Sequence, residues 1–259
     1  MCRWLNLPRS SYYYKTSEPV SEADLEEKVK QIFLESQSRY GARKIKQCLA
    51  TDGIILSRRR IRRIMKRLNL VSVYQQASFK PYAKGKNEAP IPNLLDRQFY
   101  QEKPLEVIVT DLTYVRVGQR WAYVCLIIDL FNREIIGVSV GWQKTAELDK
   151  QAIQSIPYAL TKVNLFHSDR GKEFDNQLID EVLEAFGITR SLSQAGCPYD
   201  NAVAESTYRS FKLEFIHQET FHSLKELTLK TKNYVHWWNH HRIHGSLNYQ
   251  TPIAKRVTA

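Results

Sequence analysis

The stretch that decides the fold runs from residue 106 to residue 141. It contains three segments rich in Val, Ile and Tyr, namely EVIVTDLTYVR (106–116), WAYVCLIIDL (121–130) and EIIGVSVG (134–141). β-Branched and aromatic residues favour strands, and the short connections at 117–120 and 131–133 suit tight turns. These residues therefore predict three consecutive antiparallel strands.

The chain that follows alternates between helical and extended patterns. We expect a helix at about 145–160, a strand at 164–168, a helix at 173–186 closed by Gly187 and a strand at 189–193. Two more helices are expected at 202–217 and 223–241, the second capped by Ser223 and Glu226. Three strands followed by alternating helix and strand predict an α/β fold, a mixed five-stranded sheet flanked by helices.

The segment before the strands has helical spacing. Residues 21–70 predict three short helices, with Ser21 and Asp24 capping the first. The third carries an apolar seam opposite a stripe formed by Arg59, Arg62, Arg63 and Lys66, with Arg58 at its start. A basic helix after a helix and a turn is the helix-turn-helix pattern, in which the last helix enters the DNA major groove. A solvated basic face on a small bundle is the alternative.

The expected organisation has five parts. They are an N-terminal arm (1–20), a helix-turn-helix domain (21–70), a Pro-rich linker (71–104), an α/β core (105–220) and a C-terminal helical extension (221–259).

Charge is divided unevenly along the chain. Residues 1–90 hold 19 basic and 8 acidic side chains, whereas residues 91–259 hold 19 of each. A basic head on a neutral body indicates a polyanionic partner, for which nucleic acid is the commonest candidate. A membrane surface is the alternative, but no apolar run approaches the roughly 20 residues of a spanning helix. The N-terminus lacks the apolar core of a secretory signal, and the four cysteines show no metal or disulfide spacing, so we expect a cytoplasmic protein with reduced thiols.

Three acids stand where a neutral residue would cost less. Asp111 interrupts an apolar run, Asp169 ends the strand at 164–168, and Glu205 opens a helix. If the first and fourth strands are neighbours, Asp111 and Asp169 lie side by side, and a helix across the strand ends can bring Glu205 to them. Carboxylates without a Cys or His cluster suit Mg²⁺ or Mn²⁺. Taken singly, each acid also fits a turn or capping role.

Several neighbouring residues have competing interpretations. Glu173 and Asp129 are possible extra ligands, although a helix-cap or surface position is the simpler expectation for both. His167 is interpreted as a packing residue at a strand end. The histidines at 240, 241 and 244 resemble a metal cluster, but structural or DNA-backbone contacts are favoured for them because no thiol is nearby.

Several ordered motifs carry a family resemblance. They are VTDLTY (109–114), HSDRG (167–171), DNA (200–202), AES (204–206), KLE (212–214) and WNHHRIHGSL (238–247), with 35 residues between Asp169 and Glu205. This set resembles DDE transposases and retroviral-type integrases, and most of all the second-frame product of bacterial insertion-sequence transposases. The resemblance covers nearly the whole chain.

The resemblance implies an RNase H-like core in which Asp111, Asp169 and Glu205 bind two Mg²⁺ or Mn²⁺ ions. It implies cleavage of double-stranded DNA at transposon ends and attack of the freed 3′-hydroxyl on a target phosphodiester. Arg209 and Lys212 share a helical face with Glu205 and are expected to line the DNA path. A homo-oligomer on DNA and the upstream-frame product of the same element are the expected protein partners. An RNase H-like nuclease without strand transfer, or a catalytically silent DNA-binding regulator, are the alternatives.

Overall fold

A computed structural model describes residues 21–74 and 91–258, and the chain divides between Ser72 and Val73 into two compact units. The predicted N-terminal arm, and residues 75–90 of the predicted linker, lie outside the described residues. Within the described residues, no helix is long and apolar enough to cross a membrane. The five-part division of the chain stays a prediction.

The described residues of the first unit, 21–72, form three helices, α1 (Glu22–Glu35), α2 (Ala42–Thr51) and α3 (Arg58–Arg67), as the sequence predicts. The Ser21 hydroxyl caps α1 by accepting from the Asp24 amide, and Ser57 caps α3 through the Arg60 amide. Gly53 makes the turn between α2 and α3 with a φ of +78°, a conformation that favours glycine. The apolar seam of the three helices is buried: Leu25, Val29, Phe33, Ile45, Leu49, Ile61, Ile64 and Met65.

The second unit is built on a sheet in the order β3-β2-β1-β4-β5. Its strands are β1 (Val107–Val117), β2 (Arg120–Asp129), β3 (Ile135–Gly141), β4 (Leu165–Ser168) and β5 (Thr189–Leu192). The first three strands pair antiparallel, whereas β4 is parallel to β1 and β5 is parallel to β4. The predicted mixed five-stranded sheet is therefore confirmed.

Helices cover the sheet. They are α4 (Ala146–Gln154), α5 (Gln177–Ala185), α6 (Ala202–Glu214), α7 (Leu224–His240) and α8 (Pro252–Val257), with 3₁₀ turns at Leu160–Lys162, Pro198–Asn201, Ile216–Gln218 and Gly245–Leu247. Alternate residues of β1 and β2, including Ile108 and Ile127, form one apolar core with α4 and α5. The intervening residues, such as Val109 and Leu126, are also buried, and α6 and α7 contact β1 and β3.

Two helix boundaries differ from the prediction. The helix expected at 145–160 ends at Gln154, because Pro157 follows closely and disfavours helix in the residue before it. The helix expected at 173–186 begins only at Gln177, since the Asn176 side chain caps it by accepting from the Ile179 amide. Residues 173–176 therefore form a turn beside Asp169.

The C-terminal motif fixes the end of α6. The buried guanidinium of Arg242 donates to both carboxylate oxygens of Glu214, at 2.8 and 2.9 Å, and lies 4.2 Å from the Trp238 ring centre. Tyr234 donates to the same carboxylate at 3.1 Å, and His244 packs edge-on against Trp238. The KLE and WNHHRIHGSL motifs thus meet in one buried ion pair, which confirms a structural role for Arg242 and His244.

We expect Glu214→Gln to lower the free energy of unfolding of this unit by about 3–5 kcal/mol, because it leaves the Arg242 charge buried without its partner. Chemical denaturation followed by near-ultraviolet circular dichroism measures the change. The matched control is Glu147→Gln, which removes one member of an exposed pair 3.8 Å from Lys150 and should have little effect. Equal unfolding midpoints for the two variants would contradict the assignment.

Candidate active site

Asp111, within β1, and Asp169, directly after the last residue of β4, occupy equivalent positions along two neighbouring parallel segments. Val109 of β1 is in register with His167 of β4, and each aspartate follows two residues later. Side chains alternate along a strand, so the two carboxylates emerge on the same side of the sheet. Asp111 accepts from the Leu112 amide at 2.7 Å and Asp169 from the Gly171 amide at 2.9 Å, and both side chains are half-buried. β1 and β4 are neighbours in the sheet, so the condition on which the two aspartates lie side by side is met.

The helix that carries Glu205 is fastened to β1 on either side of this residue. Four residues earlier, the buried Asn201 amide donates to the Thr110 carbonyl at 3.1 Å. Three residues later, the buried Tyr208 hydroxyl donates to the Asp111 carbonyl and accepts from the Leu126 amide at 2.6 Å. The first turn of α6, with an exposed Glu205, is therefore held against the strand segment that carries Asp111.

An aromatic core holds the rest of α6. The inward face of α6, formed by Ala204, Thr207, Phe211 and Phe215, is buried. Phe211 packs edge-on against Tyr234 at 5.3 Å between ring centres, and Phe215 stacks on the same tyrosine at 5.2 Å. This packing leaves the opposite face of α6, with Glu205 and Arg209, exposed to solvent.

Lys144 and Glu173 join the acids, although sequence reasoning missed the lysine. The Lys144 ammonium lies 2.7 Å from the buried Glu173 carboxylate and also interacts with Asp169 and Asp111. Desolvation opposes its protonation, but the carboxylates raise the pKa of Lys144 above its ordinary value. The only signal in the sequence was a lysine between a strand and a helix. The expectation that Glu173 caps a helix or lies on the surface is wrong.

A glycine permits the position of Glu173. A Cβ atom added to Gly171 would lie 2.2–2.8 Å from the Glu173 carboxyl group, closer than any side chain tolerates. Gly171 therefore allows residues 171–174 to fold back so that Glu173 reaches Lys144. The glycine of the HSDRG motif thus has a steric role beside Asp169.

Besides Glu173, another carboxyl group, that of Asp149, is buried near the same acids. Neither of its oxygens has a hydrogen-bond partner in the part of the chain that the structure describes. Desolvation raises the pKa of Asp149 to about 8. The neighbouring Cys125 thiol lowers this pKa, whereas the negative charge of Glu173 raises it further. Asp149 is consequently a neutral acid at physiological pH.

The loop before α6 is ordered by Asp200. Its buried carboxylate accepts from Arg97 Nε at 2.8 Å and from the Gln194 amide at 2.9 Å. Burial opposes ionisation, but these bonds hold the pKa of Asp200 below its usual range. Asp200 therefore supports the loop that delivers Asn201 and Glu205 to β1.

His167 is buried between β5 residues, as expected for a packing residue. It bonds to Ser191 at 2.8 Å and to Ser193 at 3.2 Å. Burial lowers the pKa of His167 to about 4, so the ring is neutral at physiological pH.

Asp129, the other possible extra ligand, is a structural acid. It is fully buried and accepts from the Leu105 and Phe131 amides at 3.0 Å and from Arg256 at 2.7 Å. The expectation of a helix-cap or surface position is wrong, because Asp129 is fully buried in the sheet. Its partner Arg256 lies on α8, 127 residues further along the chain.

The described part of the chain contains no group of three or more His, Cys, Asp or Glu side chains that could hold a metal ion. His240 stacks on His236 at 4.4 Å between ring centres, whereas His244 is buried against Arg242. For the three acids, the oxygen donor set suits a hard divalent cation, and the strand register and the hydrogen bonds of α6 to β1 bring all three to the part of β1 that lies next to the end of β4. Binding one ion with all three carboxylates requires these side chains to move closer together.

The exposed cations of α3 fall into two groups. Arg60 and Arg67 bond to Glu22 of α1, at 2.5 and 3.0 Å, and Arg67 also bonds to Glu26 at 2.7 Å. Among the described residues, no ion pair is formed by the remaining exposed cations, Arg58, Arg59, Arg62, Arg63 and Lys66. These five lie within a 140° arc of the helix at 100° per residue, away from the buried seam.

Comparisons with known proteins match this arrangement. A family model described as "Integrase core domain" covers residues 101–198, a second with the same description covers 186–252, and an "HTH-like domain" covers 20–78. The fold and these matches define the class of protein, a transposase of the DDE type with a helix-turn-helix domain and an RNase H-like integrase core.

Relatives of known name narrow the class. The chain is 30% identical to transposase InsK for insertion sequence element IS150 of Escherichia coli K12, covering 99% of this chain and 92% of the relative. It is 29% identical to the transposase for IS904 of Lactococcus lactis, covering 92% and 95%. The chain belongs to the insertion-sequence transposase family, enzymes of DNA transposition.

Solved structures with a similar fold include the HTLV-2 integrase catalytic core domain in complex with magnesium. It has 15% identity and a TM-score of 0.47, and the match covers 59% of this chain and 97% of the integrase chain.

The titration of Asp149 gives a test of the buried acid. Between about pH 4 and pH 8 the native state retains a proton that the unfolded state has lost, so this group's contribution to stability falls as pH rises. We expect Asp149→Asn to remove that fall. The free energy of unfolding of the variant, minus that of the wild type, should therefore rise over this pH window and stay constant above it. Denaturation series at several pH values measure the difference. Parallel profiles for wild type and variant, with Glu147→Gln as the control on the same helix, would contradict the shift.

Proposed function

We propose that Asp111, Asp169 and Glu205 are the catalytic acids of this transposase and that together they hold two Mg²⁺ or Mn²⁺ ions. The observation that carries the proposal is the common register of Asp111 and Asp169 on adjacent parallel strands, with the Glu205 helix hydrogen-bonded to the same strand. Two such ions, when bound, activate an attacking oxygen and stabilise the leaving oxygen of a phosphodiester.

The reaction we propose is hydrolytic cleavage at the transposon ends followed by strand transfer, in which the freed 3′-hydroxyl attacks a target phosphodiester. Arg209 lies one turn beyond Glu205 on the same face of α6, and Lys212 lies a further turn along. Both are positioned to bind the phosphates of the DNA strand that enters the acid site and to orient its scissile bond.

We propose that α3 grips the double-stranded transposon end through Arg58, Arg59, Arg62, Arg63 and Lys66. These are the α3 cations that the acids of α1 leave unneutralised, so their full charge is available to DNA phosphates and guanine edges.

The proposed partners are transposon-end and target DNA, further copies of this chain on the DNA, and the upstream-frame product of the same element. Similarity to bacterial insertion-sequence transposases supports this set and a site of action on chromosomal or plasmid DNA in the cytoplasm. A nuclease without strand transfer is the less favoured alternative, because the named relatives are transposases.

Substituting any of the three acids tests the site. Asp111→Asn, Asp169→Asn and Glu205→Gln should each lower cleavage and joining of labelled transposon-end DNA by at least about 10³-fold, because one missing carboxylate disrupts placement of the ions. Glu184→Gln, an exposed acid on α5, is the matched control and should retain activity. Activity surviving in any acid variant would remove that residue from the site. Cleavage by the wild type without joined products would favour the nuclease.

The α3 cations are tested through salt dependence. Replacing Arg59, Arg62 and Arg63 by Gln should weaken binding to transposon-end DNA and reduce the slope of log affinity against log salt by about 2–3, since each phosphate contact contributes roughly 0.9. Fluorescence anisotropy over a salt series measures it. Arg60→Gln with Arg67→Gln is the control and should change the slope less, because Glu22 and Glu26 together already neutralise those two cations. An unchanged slope in the triple variant would defeat the proposal.

A further inference from the structure

The hairpin formed by β1 and β2 carries two large aromatic residues on its surface. Tyr114 is 60% exposed and Trp121 is 48% exposed. Their rings pack edge to face, with 5.2 Å between ring centres. Adjacent exposed rings form the kind of apolar surface patch that interaction sites use.

Cations stand at both ends of this aromatic pair. Lys212 Nζ lies 5.3 Å from the centre of the Tyr114 ring, and the Arg116 guanidinium lies 5.2 Å from that of Trp121. The sequence from 112 to 128 contains no acidic residue. At these separations each cation lies over a ring in a cation–π contact, and both aromatic side chains remain partly exposed beside it. We name Lys212, Tyr114, Trp121 and Arg116 the hairpin strip.

The hairpin strip begins beside the proposed catalytic acids. Tyr114 is three residues beyond Asp111 on β1, about 10 Å along a strand. Lys212 is seven residues beyond Glu205 on α6, about 10 Å along a helix. Side chains alternate along β1, so Tyr114 lies on the opposite face of the sheet from Asp111. Lys212, which shares the helical face of Glu205 and lies over the Tyr114 ring, links the hairpin strip to the acid site.

Ring faces interleaved with cations are the surface that an unpaired nucleic-acid strand recognises. Bases stack on aromatic side chains whatever their sequence, while Lys and Arg neutralise the phosphates between them. A DNA duplex hides its base faces, so it can use the cations but not the rings. The rings therefore select for unpaired bases.

We propose that the hairpin strip binds unpaired bases of the DNA strand next to the scissile phosphodiester, stacking them on Tyr114 and Trp121. The inference rests on the proposed function, because it names the DNA state that the acid site receives. Arg116 and Lys212 hold the phosphates on either side of the stacked bases.

The test compares two DNA probes from the element's own terminal repeats, one fully paired and one with five unpaired flanking nucleotides. Affinities are measured by fluorescence anisotropy with the full chain in EDTA, so that no cleavage occurs. Wild type should bind the unpaired probe more tightly. Tyr114→Ser with Trp121→Ser should lose that preference, by about tenfold or more for each ring, and should bind the paired probe much as wild type does.

Two control variants separate stacking from folding. Tyr114→Phe with Trp121→Phe keeps both ring faces and should retain the preference for unpaired DNA. Phe186→Ser removes an exposed aromatic residue directly after α5 and should leave that preference unchanged. Circular dichroism checks that the serine variant is folded. If that variant is unfolded, Arg116→Gln with Lys212→Gln replaces it and should reduce affinity for the unpaired probe and its salt dependence.

A folded serine variant that keeps the wild-type preference, or a wild type with no preference for unpaired DNA, would overturn the strip. A cleavage assay on the same probes with Mg²⁺ reports separately on the proposed function. If the wild type cleaves the probes but the rings make no difference, only the proposal for the hairpin strip is rejected. A preference for unpaired DNA in a wild type that cleaves neither probe keeps the strip and removes the catalytic proposal.

Discussion

One phenol fixes the geometry of the candidate site. The Tyr208 hydroxyl lies between two strands, donating to the Asp111 carbonyl of β1 and accepting from the Leu126 amide of β2. Burial raises the pKa of Tyr208 well above its ordinary value, so the hydroxyl keeps the proton it needs to donate. Because Asn201 adds a second bond to Thr110, the turn of helix that carries Glu205 is held at both ends. The Glu214–Arg242 pair then holds the far end of the helix.

The acids near this helix differ in charge because their surroundings differ. Asp149 has burial without a hydrogen-bond partner among the described residues and is neutral, whereas Glu173 faces the Lys144 ammonium. A neutral Asp149 limits the repulsion among closely placed acids. Lys144 opposes part of the remaining negative charge through its interactions with Asp111 and Asp169. The body of the protein thus keeps acids close together while its N-terminal unit carries the charge that attracts DNA.

The sequence predicted much of this arrangement, because strand and helix periodicities are local. The Val, Ile and Tyr content and the short connections of residues 106–141 predicted the three antiparallel strands. The adjacency of the two aspartates depended on the order of the strands, which the sequence left open. Contacts between distant residues were not predictable in this way. Lys144 meets Asp169 only after the chain folds, and the partner of Asp129 lies at the C-terminus. The prediction of a helix end was also wrong where a side chain caps the helix, as the Asn176 side chain does at the start of α5.

The central claim is that Asp111, Asp169 and Glu205 form one metal site, and crystals of the protein grown with Mn²⁺ test it most directly. Anomalous scattering at the manganese edge locates each ion independently of the protein coordinates. We expect two peaks beside Asp111 of β1, coordinated by carboxylate oxygens of Asp111, Asp169 and Glu205. Saturating Mn²⁺ that binds only elsewhere, or that leaves Glu205 without a bound ion, would contradict it.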